Sequence, residues 1–460
     1  MFSEQTYVDR RHKLRQQINS GILLFLGNDE SPMNYEDNPF HYRQDSSFLY
    51  YFGLSHSGLN AVIDLDEDQD IIFGDDLTVE DIVWMGTQPS LKERGDKAGV
   101  KNIQTSQDLP KYLKQAQEKG RTIHFLPPYR AEHRLKLYSW LNIQPMEADR
   151  HTSEDFIKAV VDQRNYKSEE EIQEIEKAVN TSVEMHVEAM KMVRPGMDEA
   201  VVAGRVQEIA IAAGGNLSFP TIATINGETL HNHYHGNIMK SGDMFLLDAG
   251  AETAMGYAGD LSSTFPVAPS FTKRQKEIFA VAFAAHEKAI SVLKPGTKFK
   301  DIHLLACKTI ASGLKDLGFM HGDVEEAVAQ GAHALFFPCG LGHMMGLDVH
   351  DMENLGEEYV GYSGEKKSTQ FGLKSLRLGR ELEPWFVFTI EPGIYFIPEL
   401  IDMWKADNKF IDFINYDKVE GYKDFGGLRN EENFLITEDG YRLLGKPKPK
   451  SIEDVEATRQ

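Results

Sequence analysis

Apolar positions recur at helical spacing in two stretches of this chain, and the two stretches match each other. Ile172, Ile175, Val179, Val183, Met190 and Val193 form a single stripe, the pattern of a helix with one buried face. Residues 272–313 repeat the pattern of residues 172–213 at a fixed offset of 100. Val179, Val183, His186, Ala189 and Met190 map onto Phe279, Phe283, His286, Ala289 and Ile290, and the RPG at 194–196 maps onto the KPG at 294–296. Each stretch opens on a capping-box pair, Ser168 with Glu171 and Thr272 with Gln275, which marks a helix start. The Pro-Gly pairs stop the helices, because Pro disfavours helical geometry before it and Gly permits the reversal. A second helix is predicted after each stop, over 197–213 and 297–313. His186 and His286 sit near the apolar faces in both copies and read as core histidines.

Each copy is followed by an apolar strand ending in an acid: FLLDAG at 245–250 and FVFTIEPG at 386–393. A duplicated unit would thus deliver Asp248 and Glu391 from equivalent strand ends. Ahead of the repeat, GILLFLG (21–27), SFLYYFGL (47–54), AVIDLD (61–66) and DIIFGDD (70–76) are short apolar runs separated by turn residues. With helical stretches at 109–118 and 132–141 they predict an α/β domain. The boundary falls at residues 150–168, giving domains over 1–160 and 161–460. Residues 356–375 and 401–422 read as surface excursions, and the charged, Pro-punctuated tail after Lys446 reads as a loose end.

A chain of 460 residues accommodates two cores. Its formal charge of -22 argues against nucleic acid or an anionic membrane as partner, since both demand clustered Lys and Arg. No window is long and apolar enough to span a bilayer. MFSEQTYVDRRHK at the start lacks the apolar core of a secretory signal. Two cysteines, Cys307 and Cys339, cannot build a disulfide framework and read as reduced thiols of a cytoplasmic protein.

Acids at buried strand ends are costly unless something positive lies between them. Asp260 follows Asp248 by twelve positions, a spacing that suits a hairpin returning it beside Asp248. His343 lies in the Gly-rich CGLGHMMGLDVHD, where the backbone can approach a bound group closely. Glu431 sits in FGGLRNEENFLITEDG, which reads as a further strand with a turn at Asp439 and Gly440. Asp248, Asp260, Glu391, Glu431 and one neutral imidazole carry a charge that two divalent cations would balance. Such a donor set favours Mn²⁺, Co²⁺ or Zn²⁺ over a soft thiolate site, and a metal pair activates water and polarises a carbonyl. Cys339 has no base-and-orienter set around it in sequence to make it a nucleophile. GLGHMMG has the wrong spacing for a dinucleotide loop.

At these residues the chain resembles the pita-bread metallopeptidases. The motifs are TIEPGIYF, GLGHMMGLDVHD, the pair LLDAG and GDLSSTFPV, and GGLRNEENFLIT, together with RQDSSFLYYFGL and VIDLD near the N-terminus. Within that family the match is to the Xaa-Pro peptidases, prolidase and aminopeptidase P. The resemblance implies an α/β (α+β) architecture: a duplicated curved-sheet catalytic domain behind a smaller N-terminal α/β domain that shapes the cleft. It implies that Asp248 binds one metal, that His343 and Glu391 bind the other, and that Asp260 and Glu431 bridge them. Glu391 would also shuttle a proton. His350 would stabilise the oxyanion, His231 would contact substrate, and Arg429 would support the last ligand. Arg377 would receive the free carboxylate of a dipeptide. Two divalent ions, Mn²⁺ foremost, short proline-containing peptides and a homodimer complete the expectation.

The chain departs from the pattern at Cys339, where the family has His, at Asn232, where Tyr is usual, and at Asn430, where Ile is common. None of these removes a metal ligand. Cleavage of Xaa-Pro dipeptides leads, because of Arg377. The alternatives are aminopeptidase P action on longer peptides, a metal-free C–N hydrolase, and a binding protein that has lost its metals. The last two are disfavoured by the complete ligand set. His233 and His235 alternate with His231, share a face if the segment is a strand, and read as surface residues.

Overall fold

The computed structural model describes residues 1–460 and separates into two compact units. The first comprises Met1–Arg164 with Asn354–Tyr359; the second comprises Asn165–Glu353 with Val360–Gln460.

The N-terminal unit is built on a five-stranded mixed sheet. Ile22–Leu26 lies inside it, antiparallel to Asn60–Asp64 and parallel to Ile123–Phe125. Gln69–Phe73 and Asn102–Gln104 extend the other side. The continuous apolar run of Ile22–Leu26 is buried along its whole length, as a strand covered on both faces requires. Leu24, Val62, Ile71 and Phe73 pack with Leu109 and Leu113 of the Asp108–Glu118 helix and with Leu137 of Ala131–Leu141. One of the four apolar runs is not a strand: Ser46–Phe52 is a helix. The Asp45 side chain caps it by accepting from the Phe48 N–H, and Gly53 ends it at φ 68°. A capping acid and a left-handed glycine thus override the strand preference of Phe48, Tyr50, Tyr51 and Phe52.

In the second unit both predicted capping boxes are formed, on Glu169–Met192 and Lys273–Ile290. Gly196 (φ 88°) and Gly296 (φ 80°) make the two reversals, a conformation other residues adopt only with strain. The helices Glu199–Ala212 and Phe299–Asp316 follow. Each copy contributes a three-stranded antiparallel sheet. Met244–Ala249 lies between Leu261–Pro266 and Ile222–Thr224, and Glu432–Ile436 lies between Val387–Ile390 and Tyr441–Leu443. His186 is fully buried between Ser263 Oγ (2.9 Å) and the Ala249 carbonyl (3.0 Å) and so ties the first helix to its sheet.

Three segments expected at the surface are packed instead. Val360 and Tyr362, within 356–375, are buried. In 401–422, Ile401, Trp404, Ile414 and Val419 are buried, carried partly by the helices Pro398–Ala406 and Tyr416–Glu420. The tail forms a helix, Ile452–Thr458. Beyond that helix the buried Arg459 donates to the carbonyls of Met190 (2.7 Å), Val193 (3.0 Å), Val267 (2.8 Å) and Ala268 (3.2 Å). One guanidinium thereby satisfies carbonyls left open at the end of a helix and a strand. Polar composition alone could not reveal this.

Candidate active site

The Leu261–Pro266 strand returns antiparallel to Met244–Ala249 with Ser262 opposite Asp248, so Asp260 arrives next to Asp248 as the hairpin spacing predicts. Glu391 stands immediately after Val387–Ile390. Residues 341–345 run alongside that strand. The Thr389 N–H donates to the His343 carbonyl (3.0 Å), the Met345 N–H to the Val387 carbonyl (3.0 Å) and the Glu391 N–H to the Leu341 carbonyl (2.7 Å). Gly342 makes this approach possible, since a Cβ there would lie 2.0 Å from the Thr389 carbonyl oxygen. The glycine therefore serves a neighbouring strand, and with Gly340 it also lines the cleft. Glu431 occupies the break between Gly427–Arg429 and Glu432–Ile436, with its N–H held by the Ser262 carbonyl (3.1 Å).

These segments bring all five candidate ligands to one cleft of about 230 Å³. Donor atoms of Asp260, His343 and Glu431 lie within 4.8 Å of one another. His343 Nε2 is 3.3 Å from Asp260 Oδ2 and 3.5 Å from Glu391 Oε1. His343 Nδ1 lies 3.0 Å from the Met344 carbonyl oxygen, which can only accept, so that nitrogen carries the proton. The Nε2 lone pair of the neutral ring then faces two carboxylates. Glu431 Oε2 accepts from Ser262 Oγ (2.8 Å), while its buried Oε1 has no partner. Burial and the neighbouring acids push Asp260 up to about 8, with Asp248 the next cause, and Glu431 well above the carboxylate range. Glu391 is raised too, by burial first. Buried acids held this far up beside an imidazole lone pair are what a divalent cation relieves by taking the place of their protons, and the oxygen-rich donor set with one imidazole suits a hard or borderline ion.

Arg429 modifies the charge count. Its guanidinium donates to Asp248, to Ser262 Oγ (2.9 Å) and to the Tyr395 hydroxyl (2.8 Å). Four carboxylates thus face one buried base as well as any cations, which the sequence did not disclose. Ser262, Thr264, Asn433 and Tyr395 escaped sequence reasoning. Thr264 Oγ1 bonds the Arg429 carbonyl and accepts from its N–H, both at 3.0 Å, and Asn433 brackets the Asp260 backbone. The alternating hydroxyls of DLSSTFP were the available signal.

His231, His350 and Arg377 line the same cleft. His350 Nδ1 lies 2.5 Å from Glu353 Oε2, and its ring centroid is 4.2 Å from that of His343. Arg377 Nε is 3.4 Å from Glu353 Oε1. His231 lies outside any strand, and His233, expected at the surface, joins it in the cleft lining. His235 turns away to the Thr221 carbonyl (3.1 Å). Cys339 is in the lining too, its thiol pushed up to about 12 by burial and by Glu391. It is protonated at neutral pH and no nucleophile.

A duplicated α/β unit with buried acids at its strand ends and an imidazole among them defines a metal-dependent hydrolase. The model of metallopeptidase family M24 matches residues 173–438, and that of the aminopeptidase P N-terminal domain matches residues 7–124. The chain is 30% identical to the Xaa-Pro dipeptidase of Rattus norvegicus, over 96% of this chain and 89% of the relative. It is 29% identical to the Xaa-Pro aminopeptidase of Escherichia coli strain K12, over 99% and 97%. Among solved structures, a variant of E. coli aminopeptidase P in complex with substrate matches with a TM-score of 0.81 at 28% identity, over 99% of this chain and 98% of that one. A Zn-substituted form of the same enzyme with product matches at 0.80 and 28%, with the same coverage. The chain belongs to metallopeptidase family M24, among the Xaa-Pro peptidases, and is a peptidase dependent on divalent metal. Its fold is the pita-bread catalytic domain with an N-terminal α/β domain.

Proposed function

We propose that the protein hydrolyses the bond between an N-terminal residue and proline in short peptides, with Xaa-Pro dipeptides as the leading substrates. The observation that carries this reading is the convergence of buried ligating atoms of Asp260, His343 and Glu431 within 4.8 Å of one another, with one Glu431 oxygen left without a partner. Asp248, Asp260, His343, Glu391 and Glu431 would hold two divalent ions. Mn²⁺ is the proposed resident, and the same donors accept Co²⁺ or Zn²⁺. Ions bound there supply Lewis acidity towards a carbonyl and make water acidic enough to attack at neutral pH.

The chain's own residues do the rest. Glu391, the most accessible of the four acids at 20% side-chain exposure, takes the proton of the attacking water. It returns that proton to the proline nitrogen as the C–N bond breaks. Burial, followed by His343, lowers His350, so its ring is neutral at rest. With Glu353 on Nδ1 favouring the protonated ring, His350 takes a proton from solvent on Nε2 as negative charge develops on the carbonyl oxygen, and Nε2–H then donates to that oxygen. His231, in the lining of the same cleft, contacts substrate. Arg377 receives the C-terminal carboxylate of a dipeptide, in competition with Glu353. Proline lacks the N–H that strand-like peptide docking uses, so a cleft of this kind recognises the ring and the chain ends instead.

The aminopeptidase reading has comparable support, because solved structures of the Pseudomonas aeruginosa aminopeptidase PepP and of E. coli aminopeptidase P are similar to this chain over nearly their whole length. Hydrolysis of Ala-Pro and Ala-Pro-Ala in parallel, with Mn²⁺ and after chelation, decides. Metal-dependent cleavage of Ala-Pro alone supports the dipeptidase and Arg377 as carboxylate anchor. Cleavage mainly of Ala-Pro-Ala makes it an aminopeptidase. No cleavage of either by metal-replete protein overturns both.

Cytoplasmic residence is proposed on the two free thiols; no helix is long and apolar enough to cross a membrane. A homodimer through the N-terminal unit is proposed on the short helix Val79–Met85, where Val79, Val83 and Trp84 are 79%, 74% and 82% exposed. Sedimentation of Trp84→Glu should give a monomer where the unaltered chain gives a dimer. A dimer in both would place the interface elsewhere.

A further inference from the structure

A second cluster of ligating side chains lies apart from the acids, in the core of the catalytic unit. His303 and Cys307 are four residues apart on the Phe299–Asp316 helix and therefore share a face. His333 belongs to the short turn Ala332–Leu335. His303 and Cys307 are fully buried and His333 is 2% exposed. Their ligating atoms all lie within 4.8 Å of one another, with Cys307 Sγ 3.4 Å from His303 Nε2. Three ring nitrogens in this group, His303 Nδ1 and both of His333, have no hydrogen-bond partner.

Buried polar atoms are nearly always satisfied, so three orphans on two adjacent rings require a reason. Protonation does not provide one. Burial holds His303 down at about 3 and His333 at about 4, so each ring is neutral and offers a lone pair. Aromatic packing does not provide one either, since the His303 and Phe337 rings are tilted with centroids 5.5 Å apart, leaving the nitrogens unserved. A catalytic Cys-His pair would need access, which this cluster lacks. Two neutral imidazoles and one thiol, converging where all three side chains are buried, are the donors of a borderline-soft metal. Zn–S and Zn–N bonds of about 2.3 and 2.0–2.1 Å set tetrahedral donors roughly 3.3–3.8 Å apart. One pair already has that spacing, and the His333 donor lies within 4.8 Å of both.

We propose that His303, Cys307 and His333 form a third metal site, structural in role, for one Zn²⁺-class ion. On binding, the Cys307 thiol gives its proton to solvent, the thiolate takes the ion together with one nitrogen from each histidine, and a water carried in with the ion fills the fourth position. The site clips the Ala332–Leu335 turn to the Phe299–Asp316 helix. That turn leads directly into residues 336–343 and hence to His343, so the clip fixes the start of the segment that delivers the active-site imidazole. Because the pocket is closed, the ion enters as the chain folds.

The test uses the full chain, unfolded under chelation and refolded with Co²⁺. Carboxylate and imidazole donors give cobalt no thiolate-to-metal charge-transfer band in the near ultraviolet, whereas a Cys307 thiolate does. The band is expected in the unaltered chain and in Cys339→Ser, and its loss is expected in Cys307→Ser. Metal analysis after refolding with Zn²⁺ should find one equivalent per chain fewer in Cys307→Ser than in the unaltered protein. His333→Asn, which keeps both thiols, should lose the same equivalent, so the conclusion does not hang on one variant folding. Refolded, active protein without the band overturns the proposal. So does a band that survives Cys307→Ser and disappears in Cys339→Ser, which would put the thiolate in the catalytic cleft.

Discussion

Ser262 holds the candidate metal centre from four directions. Its hydroxyl donates to Glu431 and accepts from Arg429, and its carbonyl accepts from the Glu431 N–H and from Lys448 Nζ (2.9 Å). Ser262→Ala is expected to lower kcat/KM by about 10–100-fold and to weaken metal binding, as loss of a residue that orients ligands does. Metal titration alongside kinetics, with an unchanged circular dichroism spectrum, checks it. A second expectation concerns the chelated protein. Asp260, raised from 3.8 to about 8 by burial and by Asp248, keeps its proton in the fold to higher pH than in the unfolded chain. Its contribution is then full below pH ~4 and is lost as pH rises towards about 8. Thermal midpoints of chelated protein should fall between pH 5 and 8, and Asp260→Asn should flatten that fall. Equal slopes would show that another group governs it. The four acids and the histidine were legible because each lies in a short motif with a fixed spacing. Ser262 was not, because its partner Glu431 is 169 positions away and only sheet register brings them together.

At the level of elements, the helices were the most legible, since a capping box and a Pro-Gly stop are local devices that state their own boundaries. The Ser46–Phe52 helix was misread because its aromatic residues favour strands, while its cap and its left-handed glycine favour a helix. Pairing of 341–345 with Val387–Ile390 was invisible, because it depends on where a loop lies and not on its pattern. His186 joins helix to sheet, and burial, aided by Lys448, lowers it to about 3. The unfolded chain takes up a proton at about 6.5 where the fold does not, so stability is lost as pH falls from about 6.5 towards 3. His186→Gln should cost about 1–3 kcal/mol at pH 7 through imperfectly replaced hydrogen bonds. It should also reduce the slope of the urea midpoint between pH 6.5 and 4.5, and parallel slopes would refute the assignment.

Over the whole molecule, the duplication and the order of the two domains were readable, because repeats and composition are long-range signals carried by many residues. The fate of the tail was not, because it turns on one arginine. Arg459→Met keeps the apolar stem and removes the donors to four carbonyls. It should destabilise the protein by on the order of 3 kcal/mol, measured by equilibrium denaturation, with the metal content of the folded fraction unchanged. That arginine also has a bearing on how the protein is made. The carbonyl of Met190 is translated 269 positions before the guanidinium that satisfies it. At about 5–20 residues per second the end of the Glu169–Met192 helix waits roughly 15–50 s on the ribosome for its last partner. Through that interval the growing chain presents an incomplete core to the cell, and chaperone demand should track translation speed across this stretch.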